Sequence, residues 1–183
     1  MYKALLFTAS LLVSGMVVAN DSNDSACQFD IEFSSKPKEN SQTVNASPSV
    51  TMDIKQFVAT KVVKNAKIAS NVMCQHLTGH AFTGSEGEFA QFIDNAIQGL
   101  LKAGFKDLKF TRVGADDATY KDDLTHLEYI FTGDKAGNKQ VIHNLAVIDK
   151  KNNQVITISV SGNEKVSDEI KSEYTKLVNS FSL

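Results

Sequence analysis

The chain has 183 residues, and its 19 lysines and arginines against 21 aspartates and glutamates give a formal net charge of −2. Arg112 is the single arginine and no dense basic stretch occurs, so the composition argues against a nucleic-acid partner. This length suits one domain that is large enough to bury a substantial core.

The N-terminus has the pattern of a secretory signal peptide. A short start that contains Lys3 leads into an apolar run, and Ala19 ends this run where a signal peptidase reads a small residue. The run is short for a membrane span, and polar residues follow it directly. We therefore expect 1–19 to be cleaved, 20–26 to form a flexible start of the mature chain, and 27–183 to form a single domain.

Cys27 does not fit a lipid-anchor site. A lipoprotein cysteine follows directly on the apolar core, whereas Cys27 lies well beyond the expected cleavage point and after Asp24-Ser25-Ala26. We therefore expect a periplasmic or secreted protein that is not a lipoprotein and is not embedded in the membrane.

The chain has two cysteines, Cys27 and Cys74. In an exported protein such a pair is read first as a disulfide. Closing a loop of this length stabilises a fold by roughly 4 kcal/mol in the chain-entropy model. Two buried free thiols, or a metal site completed by a histidine, are the alternatives.

The first half of the chain reads mainly as strands. Strict alternation of polar and apolar residues predicts a half-buried strand at 28–33. The segment Ser34–Pro48 contains both prolines and is predicted to be a loop with room for a short edge strand. Alternation over 50–63 and 68–77 predicts two strands, joined by a turn at 64–67.

Two amphipathic helices are predicted from apolar residues at three- and four-residue steps. The first begins at Ser85, with Glu88 completing a capping box, and ends at Gly104. The second runs from about Val166 to Phe181. Four strands are predicted between them, at 105–113, 124–132, 140–149 and 154–161. Since strands and helices are segregated, we expect an α+β fold in which an antiparallel β-sheet is flanked by two long helices.

This layout resembles the PsbP-like group, which includes PsbP of photosystem II, Mog-type proteins and DcrB-type envelope proteins. The resemblance lies in the early strand 29–33 followed by Pro37, the strand Val155–Val160, and the ending 177–183 with its Ser-Phe-x-Leu motif. It implies an α/β/α sandwich that serves as a binding or accessory module, with no catalytic residue to carry over. DcrB-type proteins are usually lipid-anchored, and this chain lacks that signal.

Histidines supply two candidate metal sites. His76 and His80 have a ligand-like spacing, and Cys74 is a third donor if its thiol is free. The favoured reading is that His76 is a half-buried strand residue, His80 is solvated, and Cys74 forms the disulfide.

The second set consists of His126, His143 and Glu128 on adjacent predicted strands. A hairpin centred near Lys135 places His143 opposite Glu128 and beside His126, as in a metal site or an acid–base cluster. Ordinary cross-strand pairing on the surface is the favoured reading.

The stretch 115–128 is locally acidic, through Asp116, Asp117, Asp122, Asp123 and Glu128. Oxygen ligands suit calcium, but their spacing does not match an EF-hand loop. A solvated acidic loop is the favoured reading.

No nucleophile-elbow, P-loop or dinucleotide-binding motif occurs in the chain. We expect a periplasmic accessory or binding module without catalytic residues, metal or cofactor, whose partner is an envelope protein or a small ligand. The alternatives are an inhibitor or immunity-type protein, and a small metal-dependent enzyme that uses His126, His143 and Glu128. A concave apolar pocket between the 89–101 helix and the sheet is the feature that favours binding.

Overall fold

A computed structural model of the protein describes residues 26–114, 120–121 and 124–183. The strands are β1 (Lys38–Ser47), β2 (Val50–Val63), β3 (Ala66–Thr78), β4 (Phe105–Val113), β5 (Thr125–Lys135), β6 (Asn138–Asp149) and β7 (Gln154–Asn163). The helices are α1 (Glu86–Lys102) and α2 (Ser167–Ser180), and a 3-10 turn at Glu164–Val166 precedes α2. The strands form one antiparallel sheet in the order β1-β2-β3-β7-β6-β5-β4.

Some predictions fall outside the described residues. These are the signal peptide 1–19, most of the segment 20–26, and the aspartates Asp116, Asp117, Asp122 and Asp123. The cleavage after Ala19 and the single domain 27–183 stay predictions.

Two tight turns set the register of the longest hairpins. Lys64 and Asn65 join β2 to β3, and Ala136 and Gly137 join β5 to β6. All four residues have positive φ. This is the left-handed backbone that two-residue hairpins of the favoured twist require, and asparagine and glycine adopt it with little strain. The first turn is shorter than predicted, and β3 begins at Ala66.

The predicted strand at 28–33 is wrong as a strand, although its alternation is real. Phe29, Ile31 and Phe33 are half-buried against the core, and the residues between them are exposed. Its backbone pairing is a single bridge between Asp30 and Ser182. Alternation reports that one side of an extended segment is buried, and it does not require a neighbouring strand.

The predicted loop Ser34–Pro48 is largely strand β1. Nine of the ten residues of β1 pair with β2 along the edge of the sheet, with an irregularity at Ala46, and most of the side chains of β1 are exposed. A polar sequence is compatible with an edge strand because one side of its backbone faces solvent. Pro37 and Pro48 directly flank the strand, where a missing N–H costs the ladder nothing.

The core has two layers, one on each face of the sheet. On β6, Leu145 and Val147 point to one face, and Ala146 and Ile148 point to the other. The α2 residues Ile170, Tyr174 and Leu177 complete the first layer. The α1 residues Phe89 and Ile93 complete the second.

The prediction of a sheet flanked by two long helices, as in an α/β/α sandwich, is wrong. The α+β class fits the structure in part. The structure is mostly sheet, with seven strands of 9 to 14 residues against helices of 17 and 14 residues. Strand β2 extends about 46 Å, whereas the helices span about 25 and 21 Å. Each helix therefore covers only part of one face. The sequence analysis missed this because it assigned β1 to a loop and ended several strands early.

Candidate binding groove between helix α1 and the edge strand β4

A groove lies between α1 and the β4–β5 end of the sheet. Its volume is about 340 Å³, at the small end of the range of roughly 300–1,000 Å³ that is typical of ligand pockets. We call it the α1–β4 groove, and it is lined by Glu86, Phe89, Ala90, Ile93 and Asp94 of α1, Phe110 and Arg112 of β4, and Leu127 of β5. The groove lies between the 89–101 helix and the sheet. A pocket at this position is the feature that the sequence analysis gives as favouring a binding role.

Local hydrogen bonds determine where α1 begins. The Ser85 Oγ accepts the Glu88 N–H at 3.3 Å, as predicted for the N-cap. The Glu88 carboxylate does not complete a reciprocal capping box. It instead accepts the N–H groups of Thr83 at 3.0 Å and Gly84 at 2.7 Å. Glu88 thus connects the loop before α1 to the first turn of the helix. This N-terminal end of α1 borders the groove.

The two halves of α1 are packed differently. Phe89 and Ile93 are buried, and Phe89 and Phe92 meet edge to face with ring centroids 6.1 Å apart. In the C-terminal half, Ile97 and Leu100 are only partly buried and Leu101 is 46% exposed. The N-terminal half therefore anchors the helix, and the groove lies beside this anchored half.

Strand β4 supplies an exposed aromatic ring to the groove. Phe110 is 42% exposed, although its ring centroid lies 5.8 Å from those of both Tyr129 and Phe131. Burial raises the pKa of Tyr129 to about 12, so its hydroxyl is neutral across the physiological pH range. The wall of the groove is thus an aromatic surface that is partly open to solvent.

Asn153 holds the loop that leads into α1. Its Nδ2 donates to the carbonyl oxygens of Leu77 and His80, both at 2.7 Å, and its Oδ1 accepts the Phe82 N–H at 2.8 Å. The residue has a φ of 51°, which asparagine tolerates better than most residues. In the sequence, Asn153 falls in the short connection between the predicted strands 140–149 and 154–161. Its three partners are more than seventy positions away, so no local signal indicates them.

We expect Asn153→Ala to lower the free energy of unfolding by about 2 kcal/mol, because two half-buried backbone groups and an exposed one lose their partner and the left-handed backbone becomes strained. Urea denaturation of the variant measures the change. The exposed neighbour Lys151 provides a matched control, Lys151→Ala, whose effect should stay within about 0.5 kcal/mol. Equal effects of the two substitutions would contradict the anchoring role of Asn153.

A second concavity lies beneath the N-terminal segment. Its volume is about 430 Å³, and it is lined by Phe29, Asp30, Ile31, Phe33, Ser35, Lys36, Pro37 and Phe57. Seven of these eight residues belong to one segment, 29–37, that runs over the sheet. This concavity is larger than the α1–β4 groove, and it lies beside the start of the edge strand β1, because Pro37 precedes Lys38 and Phe57 pairs with Glu39.

The disulfide between Cys27 and Cys74 is present, with a Cα–Cα distance of 5.7 Å. It attaches the N-terminal segment to β3, and the Cys27 N–H donates to the buried Gln154 Oε1 at 3.0 Å. With its sulfur in the disulfide, Cys74 does not join His76 and His80 as a thiolate ligand. The His76 Nδ1 lies 3.7 Å from the Asp53 Oδ2, and His80 is exposed.

His126, His143 and Glu128 share one face of the sheet, but their register differs from the prediction. His143 lies opposite Ile130, so Glu128 is a diagonal neighbour, because the β5–β6 turn is centred at Ala136–Gly137. Each imidazole packs against a different aromatic ring. The centroid distances are 5.3 Å from His143 to Tyr174 and 5.5 Å from His126 to Tyr120.

Burial is the largest cause of the pKa shifts of His143, Tyr120 and Tyr174 on this face of the sheet. It lowers the pKa of His143 against the opposing influence of Glu128, and it raises the pKa of Tyr120 to about 12. Burial and Glu128 together raise the pKa of Tyr174, whose hydroxyl has no hydrogen-bond partner among the described residues. These pKa shifts favour the neutral forms of His143 and Tyr120, which pack beside α2, and of Tyr174 within it. Across the described ranges, no group of three or more His, Cys, Asp and Glu side chains is arranged to hold a metal ion.

Comparison with known proteins gives little. No family model matches the chain, and no curated protein matches it. The fold is similar to the crystal structure of LpqN, which is involved in cell envelope biogenesis of Mycobacterium tuberculosis. The sequences are 16% identical, the match covers 79% of this chain and 90% of LpqN, and the TM-score is 0.44. A likeness of this size does not bear on function, and membership of the PsbP-like group stays a prediction.

Within the part of the chain that the structure describes, neither helix is long and apolar enough to cross a membrane.

Proposed function

We propose that this protein is a non-catalytic periplasmic binding module that receives an apolar side chain of a partner protein in the α1–β4 groove. The observation that carries this proposal is the combination in one concavity of a partly exposed aromatic ring, Phe110, with apolar side chains of α1 and β5. Concave sites of this kind, with an apolar lining and a few polar groups, are where ligand groups bind in proteins.

Two features support the proposed location. The Cys27–Cys74 disulfide fits an extracytoplasmic compartment, where thiols are oxidised. The periplasm is the finer part of the proposal and is supported by the apolar leader sequence that ends at Ala19. Analysis of the mature N-terminus by mass spectrometry tests the cleavage site directly.

The chemistry of the groove favours recognition over catalysis. Phe89, Ile93 and Leu127 form an apolar floor, and Glu86 and Asp94 place carboxylates on the rim. An apolar floor contributes binding energy through burial, and a polar rim restricts the orientation of the bound group. This division suits an apolar side chain with polar neighbours, as a partner protein presents it.

Anilinonaphthalene sulfonate, an apolar fluorescent dye, is the probe for the groove. The substitution Ala90→Trp places an indole in the groove from an exposed position on α1, so the core should be unaffected. We expect this variant to bind the dye about tenfold more weakly than the natural protein, a loss of about 1.4 kcal/mol. Fluorescence titration measures both affinities, and urea denaturation verifies that the variant is folded.

Gln98→Trp is the matched control because Gln98 is exposed on the same helix but does not line the groove. Its dye affinity should equal that of the natural protein. Since the natural chain has no tryptophan, each variant also reports its own indole environment, and the emission of Trp at position 90 should be the bluer of the two. Equal dye binding by both variants would exclude the groove as the apolar site.

A further inference from the structure

The edge of β4 beside the groove offers a surface for main-chain pairing. We propose that the partner binds as an extended segment that adds an antiparallel or parallel strand to β4 and places its apolar side chains in the α1–β4 groove. This inference rests on the proposed function, because it assigns the class of partner to the same groove. The recognition mode is strand addition at a sheet edge, in which the backbone contributes affinity and alternate side chains contribute specificity.

Strand β4 is the last strand of the sheet. Among the described strands it pairs only with β5, so about half of its N–H and C=O groups point away from the sheet. A bulge interrupts the pairing between Lys106 and Lys109, and Asp107 within it has a φ of 51°. The regular edge is therefore Lys109–Val113, which is long enough to pair with a short segment of a partner.

The side chains of β4 divide between the two faces of the sheet. Phe110 and Arg112 lie opposite Phe131 and Tyr129 of β5 and line the groove. Because side chains alternate along a strand, every second residue of an added strand would lie beside Phe110 and face the groove. This geometry requires apolar residues at alternate positions of the partner.

The opposite face of β4 carries two lysines, of which only Lys109 lies in the regular edge. Lys106 and Lys109 are exposed there, opposite Asp134 and Thr132 of β5. Opposite charges on neighbouring strands attract, and like charges repel. The position of the added strand beside Lys109 is therefore expected to be acidic, so the partner segment combines apolar residues that face the groove with an acidic residue that faces Lys109.

The other edge of the sheet lacks these features. Strand β1 is polar along most of its length, and none of its residues lines either concavity. It nevertheless offers an exposed lysine, Lys38, on an edge strand. This makes β1 an internal control for charge effects that do not depend on the groove.

The probe is a fluorescein-labelled peptide in which glutamate alternates with valine and phenylalanine. Two comparison peptides are used. In the first, the blocked peptide, the same residues are grouped into one run of glutamates and one run of apolar residues. The second has the alternating sequence but is N-methylated at every second amide, on the edge that faces β4. Fluorescence anisotropy measures their binding to the full mature protein. We expect the N-methylated and blocked peptides to bind at least tenfold more weakly, because the first loses main-chain hydrogen bonds and the second loses its match to the groove.

Charge reversal gives the second readout. Lys109→Glu should weaken binding of the alternating peptide about fivefold, and the control Lys38→Glu should leave it unchanged. Ala90→Trp should weaken peptide binding and dye binding alike.

The outcomes separate this inference from the proposed function. Suppose that Ala90→Trp weakens dye binding, but that the alternating peptide does not bind or binds equally well when N-methylated. Strand addition is then wrong, and the proposal that the groove binds apolar groups still holds. If the peptide binds but Ala90→Trp changes neither affinity, both the groove and the strand addition beside it are rejected. Concentration-dependent self-association of the natural protein that Lys109→Glu abolishes would identify a second copy as the occupant and overturn the acidic-peptide partner.

Discussion

Replacing Cys27 and Cys74 by alanine lowers the free energy of unfolding by about 4 kcal/mol in the chain-entropy model of a crosslink across this separation. The disulfide joins positions 47 apart and attaches the N-terminal segment to the fully buried end of β3 at Cys74. Without it, Phe29 and the residues after it gain freedom in the unfolded chain that folding must remove. Urea denaturation of the double variant under non-reducing conditions measures the loss.

The natural protein itself supplies the control for this result. Unfolded in the presence of dithiothreitol, it should approach the transition midpoint of the double variant, because reduction removes the same constraint from the unfolded chain. A loss below about 1 kcal/mol would contradict a stabilising role for the crosslink. The α1–β4 groove is lined by none of the segment that the disulfide attaches, so dye binding of the folded double variant should be unchanged.

Glu173→Ala lowers the free energy of unfolding by about 2 kcal/mol, because it removes a buried carboxylate that accepts hydrogen bonds from Lys61 and Ser34. Glu173 lies in α2, is 2% exposed, and pairs with Lys61 of β2. The Ser34 Oγ also donates to its carboxylate at 2.8 Å. One carboxylate thus connects the helix, the sheet and the N-terminal segment. Thermal and urea denaturation measure the change.

Glu164→Ala is the control, since Glu164 precedes the same helix and is exposed. Its effect should stay below about 1 kcal/mol, the upper range for an acidic residue near a helix N-terminus. If the two substitutions lower the free energy of unfolding equally, Glu173 contributes no more than an exposed carboxylate does. The proposed connection through Glu173 is then wrong.

The same carboxylate predicts how stability depends on pH. Burial alone would raise the pKa of Glu173, but hydrogen bonds from Lys61 and Ser34 outweigh it and hold the pKa below the ordinary value of 4.5. A carboxyl group with a lowered pKa contributes stability above its unfolded-state pKa and loses it as the pH falls through its folded-state pKa. The natural protein should therefore lose stability below about pH 5 more steeply than Glu173→Gln does. Parallel pH profiles of the two proteins would contradict this.

Both helices illustrate what local sequence can predict. Ser85 as N-cap and Gly104 just past the end bracket α1 as expected, because capping depends on residues within one turn of each other. Six of the seven strands lie where alternation or hairpin spacing indicates them, within a few residues. Strand β1 was missed, since nothing in a polar edge sequence distinguishes a strand from a loop until its partner β2 is in place.

The groove shows where local sequence is insufficient. The residues of α1 and β4 that line it all lie in predicted elements, but their adjacency depends on how a helix rests on one face of the sheet. Phe110 lies in the predicted strand 105–113. Its exposure follows from the position of β4 at the edge of the sheet, and the strand order is a property of the whole chain.

The sequence by itself determined the two helices, the antiparallel character of the sheet and the pairing of Cys27 with Cys74 as the first reading, and it predicts a cleaved export signal. These follow from composition, from periodicity and from there being only two cysteines. Only the tertiary structure decided that 28–33 is an extended segment without a strand partner, that His143 lies opposite Ile130, and that β4 is an open edge beside a groove. The physical reason is that burial leaves a pattern within a single segment, whereas register and strand order depend on contacts between segments that are far apart in the chain.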